Sequence, residues 1–283
     1  MTAGEAIRAA AERLAATSDT ARLDAEVLMA HAFGVTRSDL LLRHMRDPVP
    51  DSFAALVERR AAHEPVAYIV GSQDFFGLTF AVSPAVLIPR GDSEVLVEAA
   101  LAARPDARRV LDCGTGSGAL LLAVLSHLPA AEGIGIDRSA EALAVARGNA
   151  ENLGLGHRAE MRLADWDQAD WALALGQFDL VLANPPYVEE AAELDPSVRA
   201  HEPAGALFAG EEGLDAYRVL IPQLPQLLTP GGAALVEIGH TQAPAVAAIA
   251  GQAGFESRLH HDLGGRPRVL ELQIPLGKGN GSA

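Results

Sequence analysis

The spacing of apolar positions predicts a bundle of helices in the first quarter of the chain. Ile7, Ala10 and Leu14 recur at helical intervals, and Thr2 precedes Glu5 at the spacing of a capping box. Further helices are predicted from about Thr20 to Gly34, after Thr36, and from about residue 51 to residue 63. We therefore expect residues 1–72 to form a small N-terminal helical domain.

The pattern changes between residues 66 and 90, where aromatic and β-branched residues are interrupted by glycine and proline. Phe75 and Phe80 lie on either side of Gly77. Apolar runs separated by turn residues are typical of a β-hairpin. We therefore interpret this stretch as a hairpin and assign residues 73–90 as a linker between two domains.

From Arg109 onward, short apolar runs alternate with helical segments, which favours a parallel sheet with helices on both faces. Strands are predicted near residues 109–113, 132–137, 158–163, 178–183, 232–238, 255–260 and 268–273. The last two must pair antiparallel, because a parallel crossover needs about a dozen residues or more and Asp262–Pro267 is too short. We expect a seven-stranded doubly wound sheet with an antiparallel last strand over residues 91–275, and a flexible tail over 276–283.

Composition and charge narrow the class of protein. The chain has 283 residues, is 49% hydrophobic, carries a net charge of −15 and contains one cysteine. It shows neither a membrane-spanning apolar run nor the pattern of a signal peptide, and one cysteine gives no disulfide framework. The acidity weighs against a long nucleic-acid contact, and the nine histidines show no metal-ligand spacing. We expect a cytoplasmic monomer that needs no metal and binds neither membrane nor nucleic acid.

A glycine-rich turn follows the first strand of the predicted sheet. Its residues are Gly114, Thr115, Gly116, Ser117 and Gly118. Glycines allow the backbone to approach a ligand, and the helix that follows supplies free N–H donors. Dinucleotide-binding enzymes and simple packing turns share this feature, but the alternate spacing of these glycines differs from G-x-G-x-x-G and argues against NAD.

Acidic and aromatic residues end the next two strands. Asp137 lies 19 residues beyond Gly118, where a carboxylate can accept hydrogen bonds from both ribose hydroxyls, although it could instead cap the helix that follows. Asp165 and Trp166 end the third strand along the same edge of the sheet. These two can read the edge of an adenine and cover its face; a surface tryptophan near a turn is the alternative.

The strand-like run Phe178–Ala183 leads directly into Asn184, Pro185, Pro186 and Tyr187. An amide nitrogen is a poor nucleophile, so a site that methylates it must hold both N–H hydrogens with acceptors. The Asn184 side-chain oxygen and the Pro185 carbonyl suit that task, the prolines stiffen the loop, and Tyr187 offers an aromatic wall. A plain rigid turn is the alternative.

Together, the two motifs predict methyl transfer from S-adenosylmethionine to an amide or amino nitrogen. We assign Asn184, Pro185 and Tyr187 as catalytic, and all four motif residues as substrate-binding. Catalysis is expected to come from positioning and desolvation rather than from a strong base.

With these motifs in place, the chain resembles the HemK/PrmC family, the glutamine N5-methyltransferases that act on class I peptide-chain release factors. The resemblance covers about residues 1–273 and includes His63–Gly71, Phe76-Gly77, Val86–Arg90, Glu202-Pro203, Ala206-Leu207, Gly213–Asp215, Glu237–Gly239 and Asp262–Arg266.

The resemblance implies a class I methyltransferase fold that follows a helical bundle and hairpin linker. S-adenosylmethionine would contact the glycine turn, Asp137, Trp166 and Asn184. Asn184–Tyr187 would bind the glutamine amide of a Gly-Gly-Gln loop, and the helical domain would help to dock the release factor.

The chain departs from the family pattern at three places. The family commonly has Arg-Pro-Asp-Thr-Glu where this chain has Arg90-Gly91-Asp92-Ser93-Glu94, an aliphatic residue at Cys113 and Asp at Pro267.

Three alternatives remain. A ribosomal-protein glutamine methyltransferase usually reads Ser-Pro-Ile-Ala-Glu after Pro-Arg. A DNA or RNA amino-methyltransferase would flip a base onto the same loop, which the charge of −15 opposes. A catalytically idle cofactor-binding protein would bind without turnover.

Overall fold

The chain forms two units, each with its own apolar core. A computed structural model describes residues 1–275, so the predicted tail over 276–283 lies outside the described residues. The first unit contains Met1–Ser72, Val82–Pro84 and Glu193–Glu202, and the second contains Gln73–Ala81, Ala85–Ala192 and the chain from Pro203 onward. The first unit thus includes two later segments that the sequence pattern did not indicate.

Both units contain helices, and those of the first unit follow the predicted periodicity closely. The α-helices of the two units are α1 (Ala3–Leu14), α2 (Ala21–Phe33), α3 (Arg37–Asp39), α4 (Phe53–Ala61), α5 (Val66–Val70), α6 (Glu94–Ala103), α7 (Ala119–His127), α8 (Ala140–Asn152), α9 (Pro196–His201), α10 (Asp215–Leu220) and α11 (Ala243–Gln252). None of the helices within residues 1–275 combines the length and apolar composition needed to cross a bilayer.

Local capping fixes the first helices where the sequence placed them. The Thr2 hydroxyl accepts from the Glu5 N–H, and the Glu5 carboxylate accepts from the Thr2 N–H, so the predicted capping box is confirmed. Gly34 ends α2 in a left-handed conformation with φ of 68°. These signals set the helix bounds before any packing between helices contributes.

The prediction of a hairpin over residues 66–90 was wrong at both ends. The first five residues form α5, because Pro65 starts the turn and Gly71, with φ of 79°, ends it. The hairpin itself contains only β1 (Ser72–Phe75) and β2 (Leu78–Ala81). A run of five apolar residues, four of them β-branched or aromatic, does not distinguish a strand from a short buried helix by periodicity.

One basic residue of the helical unit is buried rather than solvated. Arg60 lies in α4 and is only 9% exposed. Its Nε donates to Asp24 Oδ2 at 2.7 Å, and Asp24 also accepts from Ser18 and Thr20. Burial is tolerated because the charges are paired and hydrogen-bonded.

Replacing Arg60 by alanine is expected to lower the free energy of unfolding of the helical unit by about 3–5 kcal/mol, because Asp24 stays buried without its cation. Urea unfolding followed by far-ultraviolet circular dichroism measures this. The neighbouring Arg59→Ala is the matched control, since the Arg59–Glu64 pair is partly exposed and such pairs contribute about 1 kcal/mol or less. Equal losses of unfolding free energy in the two variants would contradict the assignment of Arg60 and Asp24 as a buried ion pair.

The second unit is built on the predicted seven-stranded sheet. Its strands are β3 (Arg109–Cys113), β4 (Glu132–Asp137), β5 (Ala159–Leu163), β6 (Phe178–Ala183), β7 (Leu228–Glu237), β8 (Glu256–His261) and β9 (Pro267–Gln273). The spatial order is β5-β4-β3-β6-β7-β9-β8, and β9 runs antiparallel to both of its neighbours. The predicted topology is therefore confirmed.

Pro267 leaves the last hairpin intact. It is the first residue of β9 and pairs with His261, next to a register shift between His260 and His261. A proline is tolerated at the first position of a strand, where its missing N–H costs little.

The order of the strands creates a crevice at the centre of the sheet. The chain moves outward from β3 through β4 to β5, and then restarts at β6 on the other side of β3. Cys113, the last residue of β3, pairs with Ile136 of β4 and with Ala183 of β6. The residues that follow these strands therefore meet at one edge, where doubly wound sheets bind ligands.

Candidate active site

A cavity of about 440 Å³ opens at this switch point, within the second unit. The predicted site residues that line it are Gly114, Thr115, Gly116, Ser117, Asp137, Asp165, Trp166, Asn184 and Pro186. Gly118, Pro185 and Tyr187 are not among the lining residues. The volume lies in the range of about 300–1,000 Å³ that small-molecule sites occupy.

The glycine turn brings the backbone close to an aromatic ring. Gly114 has φ of 76°, and a Cβ built on it would lie 3.1 Å from Cη2 of Trp166. A side chain at this position would therefore collide with the indole. Gly118 serves packing instead, since its Cβ would lie 3.1 Å from the Leu122 side chain. The first glycine of the turn thus shapes the cavity and the last one seats α7.

Asp137 connects the two loops on its side of the cavity. Its Oδ2 accepts from the Gly116 N–H at 3.0 Å, and its Oδ1 accepts from the Ser139 N–H at 2.9 Å. The cap of α8 is the Ser139 hydroxyl, which accepts from the Ala142 N–H. Asp137 is therefore a lining carboxylate whose position is fixed by backbone donors.

A second carboxyl group lies beneath the turn. Asp112 is 1% exposed, and its Oδ2 accepts from the Thr115 hydroxyl at 2.7 Å. Burial raises its pKa to about 7, helped by the nearby negative charge of Asp137 and opposed by the Thr115 hydrogen bond. Its Oδ1 has no hydrogen-bond partner among residues 1–275. The sequence motif contains Asp112, but its charge state was not indicated by the pattern.

The loop after β5 holds Trp166 in place through a residue that sequence reasoning missed. Gln223 donates from Nε2 to the Trp166 carbonyl at 3.1 Å and accepts from Trp171 Nε1 at 2.6 Å. Asp165 Oδ1 accepts from the Asp167 N–H at 3.0 Å and so closes the turn. Gln223 lies in a segment with no recognisable motif, so no local signal could have identified it.

The residues Asn184–Tyr187, here called the acceptor motif, follow β6 directly. Side chains from several elements form hydrogen bonds with them. Asn184 Nδ2 donates to the Ser93 hydroxyl at 3.4 Å, and the Tyr187 hydroxyl donates to Glu237 Oε1 at 3.4 Å. Gln242 Nε2 donates to the Tyr187 carbonyl at 3.0 Å. Burial and the negative charge of Glu237 raise the pKa of Tyr187, so its phenol stays protonated.

The residues present suit a nucleoside cofactor. The cavity has an appropriate volume, its backbone at Gly114 lies against the indole in a conformation that favours glycine, and a carboxylate faces it from Asp137. The acceptor motif lines the same cavity through Asn184 and Pro186. The cavity therefore brings the glycine turn and the Asp137 carboxylate together with the Asn184 side-chain amide.

Comparison with known proteins agrees with this arrangement. Residues 5–71 match a model described as the PrmC N-terminal domain, and residues 105–250 match one described as a methyltransferase domain. A release factor glutamine methyltransferase from Caulobacter vibrioides is 44% identical over 98% of each chain. One from Cereibacter sphaeroides is 45% identical over 97% of this chain and 99% of that protein.

A solved O-methyltransferase family protein from Burkholderia thailandensis shares the fold, with a TM-score of 0.53 at 17% identity over 94% of this chain and 98% of that one. The predicted class I methyltransferase fold is therefore confirmed, and S-adenosylmethionine is the methyl donor. The resemblance stated from the motifs is confirmed as well. The chain belongs to the release factor glutamine methyltransferase family.

Proposed function

We propose that this chain transfers a methyl group from S-adenosylmethionine to the side-chain amide nitrogen (N5) of the glutamine in the Gly-Gly-Gln motif of class I peptide-chain release factors. The observation that carries the proposal is the position of Asn184-Pro185-Pro186-Tyr187. The motif follows β6 and contributes Asn184 and Pro186 to the cavity that the glycine turn and Asp137 also line. Relatives of nearly the same length bear this activity in their names.

The acceptor motif would hold the glutamine amide by its hydrogens. The Asn184 Oδ1 and the Pro185 carbonyl are hydrogen-bond acceptors, and two acceptors fix the orientation of an NH2 group. S-adenosylmethionine supplies an electrophilic methyl group carried on a positively charged sulfur. Alignment of the nitrogen accounts for most of the rate enhancement, since a reactive geometry removes much of the entropic barrier. The nitrogen loses its proton after methylation, when it is cationic, so no strong base is required.

The cofactor residues are assigned by their place in the cavity. We assign the ribose hydroxyls to Asp137, the adenine to Asp165 and Trp166, and the backbone contacts to Gly114–Ser117, whereas Gly118 does not line the cavity. The shared cavity supports this assignment, because Gly114, Asp137 and Trp166 all line it.

Trp166→Ala is expected to raise the Kd for S-adenosylmethionine about tenfold or more, because stacking of a base on an aromatic ring contributes about 1–3 kcal/mol. Isothermal titration calorimetry measures this in the absence of substrate. Phe33→Ala is the control, because Phe33 stacks on His44 in the helical unit and does not line the cavity, and its Kd should change less than about threefold by the same stacking argument. Similar losses of affinity for S-adenosylmethionine in both variants would contradict the assignment of the adenine to Trp166.

The substrate assignment is tested by following a labelled methyl group. The purified protein is incubated with methyl-labelled S-adenosylmethionine and a class I release factor, its Gln→Ala version, ribosomal proteins, or bulk nucleic acid. Label is expected only in the release factor with the intact glutamine. Label in the ribosomal proteins or in nucleic acid, or equal label in the Gln→Ala version, would overturn the proposal in favour of one of the other acceptors.

The partners and location are proposed on the same basis. The helical unit, whose residues 5–71 match the PrmC N-terminal domain, would help to dock the release factor. We propose a cytoplasmic monomer without direct nucleic-acid contact. The net charge of −15 supports the last of these points, since proteins that bind phosphate backbones usually present a basic face. Light scattering of the purified protein tests the monomer.

A further inference from the structure

A buried carboxyl group lies behind the acceptor motif, at the end of β7. Glu237 is 2% exposed, and its Oε1 accepts from the Tyr187 hydroxyl at 3.4 Å. Burial raises the pKa of Glu237, and the Ser93 hydroxyl, which lies against the same carboxyl group, lowers it as a hydrogen-bond donor. Its Oε2 has no hydrogen-bond partner within the described part of the chain. Burying a carboxyl group costs free energy unless hydrogen-bond donors compensate it. The donors that face Glu237 are the hydroxyls of Ser93 and Tyr187, so its role lies in what it does to these two residues.

Ser93 connects this carboxyl group to the residue assigned to the substrate amide. It is the last residue of a short 3₁₀ turn, Gly91–Ser93, that leads into α6, and it is 4% exposed. Its oxygen accepts from Asn184 Nδ2 at 3.4 Å. The three side chains of Asn184, Ser93 and Glu237 therefore form a short hydrogen-bonded chain that ends in the cavity, which both Asn184 and Ser93 line.

The donor and acceptor capacities of the three side chains set the direction of these hydrogen bonds. An ionised carboxylate only accepts hydrogen bonds, and a hydroxyl has a single proton to donate. When Ser93 donates that proton to Glu237, it can only accept from Asn184. The NH2 end of the Asn184 amide must then face Ser93. The Oδ1 end is left as the acceptor for another group.

We propose that Glu237 and Ser93 are positioning residues that fix which end of the Asn184 amide is presented to the substrate. The inference rests on the proposed role of Asn184 Oδ1 as an acceptor for the glutamine N–H. Without the network, both orientations of the Asn184 amide could be satisfied, and one of them would place an NH2 group against the substrate NH2 group. Glu237 also holds the Tyr187 ring through its hydroxyl, so one buried carboxylate orients two residues of the motif.

Protonation of Glu237 would weaken this control. Burial raises its pKa to about 7 and Asp92 acts in the same direction, while Ser93, Arg268 and Tyr187 lower it. A protonated carboxyl group can donate to Ser93, which frees the Ser93 proton for Asn184 Oδ1. Tyr217, another titratable neighbour, donates its hydroxyl proton to the Glu237 backbone carbonyl rather than to the carboxyl group.

The expected pH dependence follows from that reversal. In the wild-type enzyme kcat should rise as pH increases through the pKa of Glu237, because the ionised form sets the productive direction. Glu237→Gln has the shape of the protonated acid and can both donate and accept. Its kcat should be low and should lack this rise between about pH 6 and pH 8, the range that spans the Glu237 pKa of about 7. Superimposable pH profiles of the two proteins would contradict the proposal.

The role of Ser93 is tested by removing and restoring its hydroxyl. Ser93→Ala should lower kcat about 10- to 100-fold, a loss typical of a misplaced reacting group, while the KM for release factor and the Kd for S-adenosylmethionine change little. Ser93→Thr, which keeps the hydroxyl, should recover most of the activity. Glu271→Gln and Ser126→Ala serve as controls: Glu271 is a buried carboxylate paired with His260, and Ser126 donates to the Ala123 carbonyl, both outside the network.

A double-mutant cycle and a spectroscopic measurement separate positioning from a loss of folding. If Glu237 acts through Ser93, Glu237→Gln should cost less in the Ser93→Ala background than in the wild type. In the ligand-free protein, the Asn184 side-chain NH2 resonance, identified by its loss in Asn184→Ala, should exchange with solvent faster in Ser93→Ala.

Each negative result has a distinct meaning. Additive effects, full kcat in Ser93→Ala, or unchanged exchange would overturn the inference about Ser93 and Glu237. Activity of Asn184→Ala near the wild-type level would instead remove the proposed role of Asn184 itself.

Discussion

Replacing Asn184 by alanine is expected to lower kcat for glutamine methylation by about 10²–10³-fold, the loss seen when one preorganised hydrogen-bonding group is removed from an active site. Asn184 lines the cavity, and its NH2 end is engaged by Ser93, which leaves Oδ1 as the acceptor for the substrate. Alanine removes that acceptor without changing the backbone, and the Pro185 carbonyl alone cannot fix both hydrogens of the amide.

The loss should appear in the methyl-transfer step. Single-turnover transfer of a labelled methyl group, with release factor and cofactor both saturating, measures it. Asn152→Ala is the matched control, since Asn152 is the exposed last residue of α8 and does not line the cavity. Calorimetric binding of S-adenosylhomocysteine to each variant separates transfer from cofactor affinity. A kcat within about threefold of wild type would exclude Asn184 as the group that orients the amide, because that orientation is the source of the expected loss.

The sheet and its site were largely predictable from the sequence, for a physical reason. Parallel strands buried on both faces read as continuous apolar runs, and the residue after each run must lie at the carboxyl edge of the sheet. Gly114 and Asn184 each follow such a run and Asp137 ends one. The pairing of Cys113 with Ile136 and Ala183 brings the three together. Local patterns and topology were sufficient there.

The supporting contacts were not predictable, because they join residues that are distant along the chain. Ser93 meets Asn184 across 91 positions, and Glu237 meets Tyr187 across 50. Glu237 stands out in the sequence only as a charged residue at the end of an apolar strand, and the resemblance to a family marked its position without giving it a role. Helix α5 was missed for the opposite reason, since its five apolar residues carry too little periodicity to identify any element.

The second large effect is expected at Asp137. Asp137→Ala should raise the Kd for S-adenosylmethionine about 10²-fold or more, because each hydrogen bond to a charged group contributes about 1.5–3 kcal/mol and two ribose hydroxyls would lose their acceptor. The same change removes the acceptors of the Gly116 and Ser139 N–H groups, so the two loops that flank the cavity also lose their connection. Asp106→Ala, an exposed carboxylate paired with Arg104, is the matched control.

A modified ligand distinguishes contact with the ribose from loosening of the loops. Calorimetry with S-adenosylhomocysteine and its 2′-deoxy analogue gives four Kd values, two for the wild type and two for Asp137→Ala. If the carboxylate accepts from the 2′-hydroxyl, removing that hydroxyl should weaken binding to the wild type about tenfold and should change binding to Asp137→Ala very little. The same penalty in both proteins would mean that Asp137 acts only by holding Gly116 and Ser139, and the acceptor for the ribose would have to be another group of the cavity.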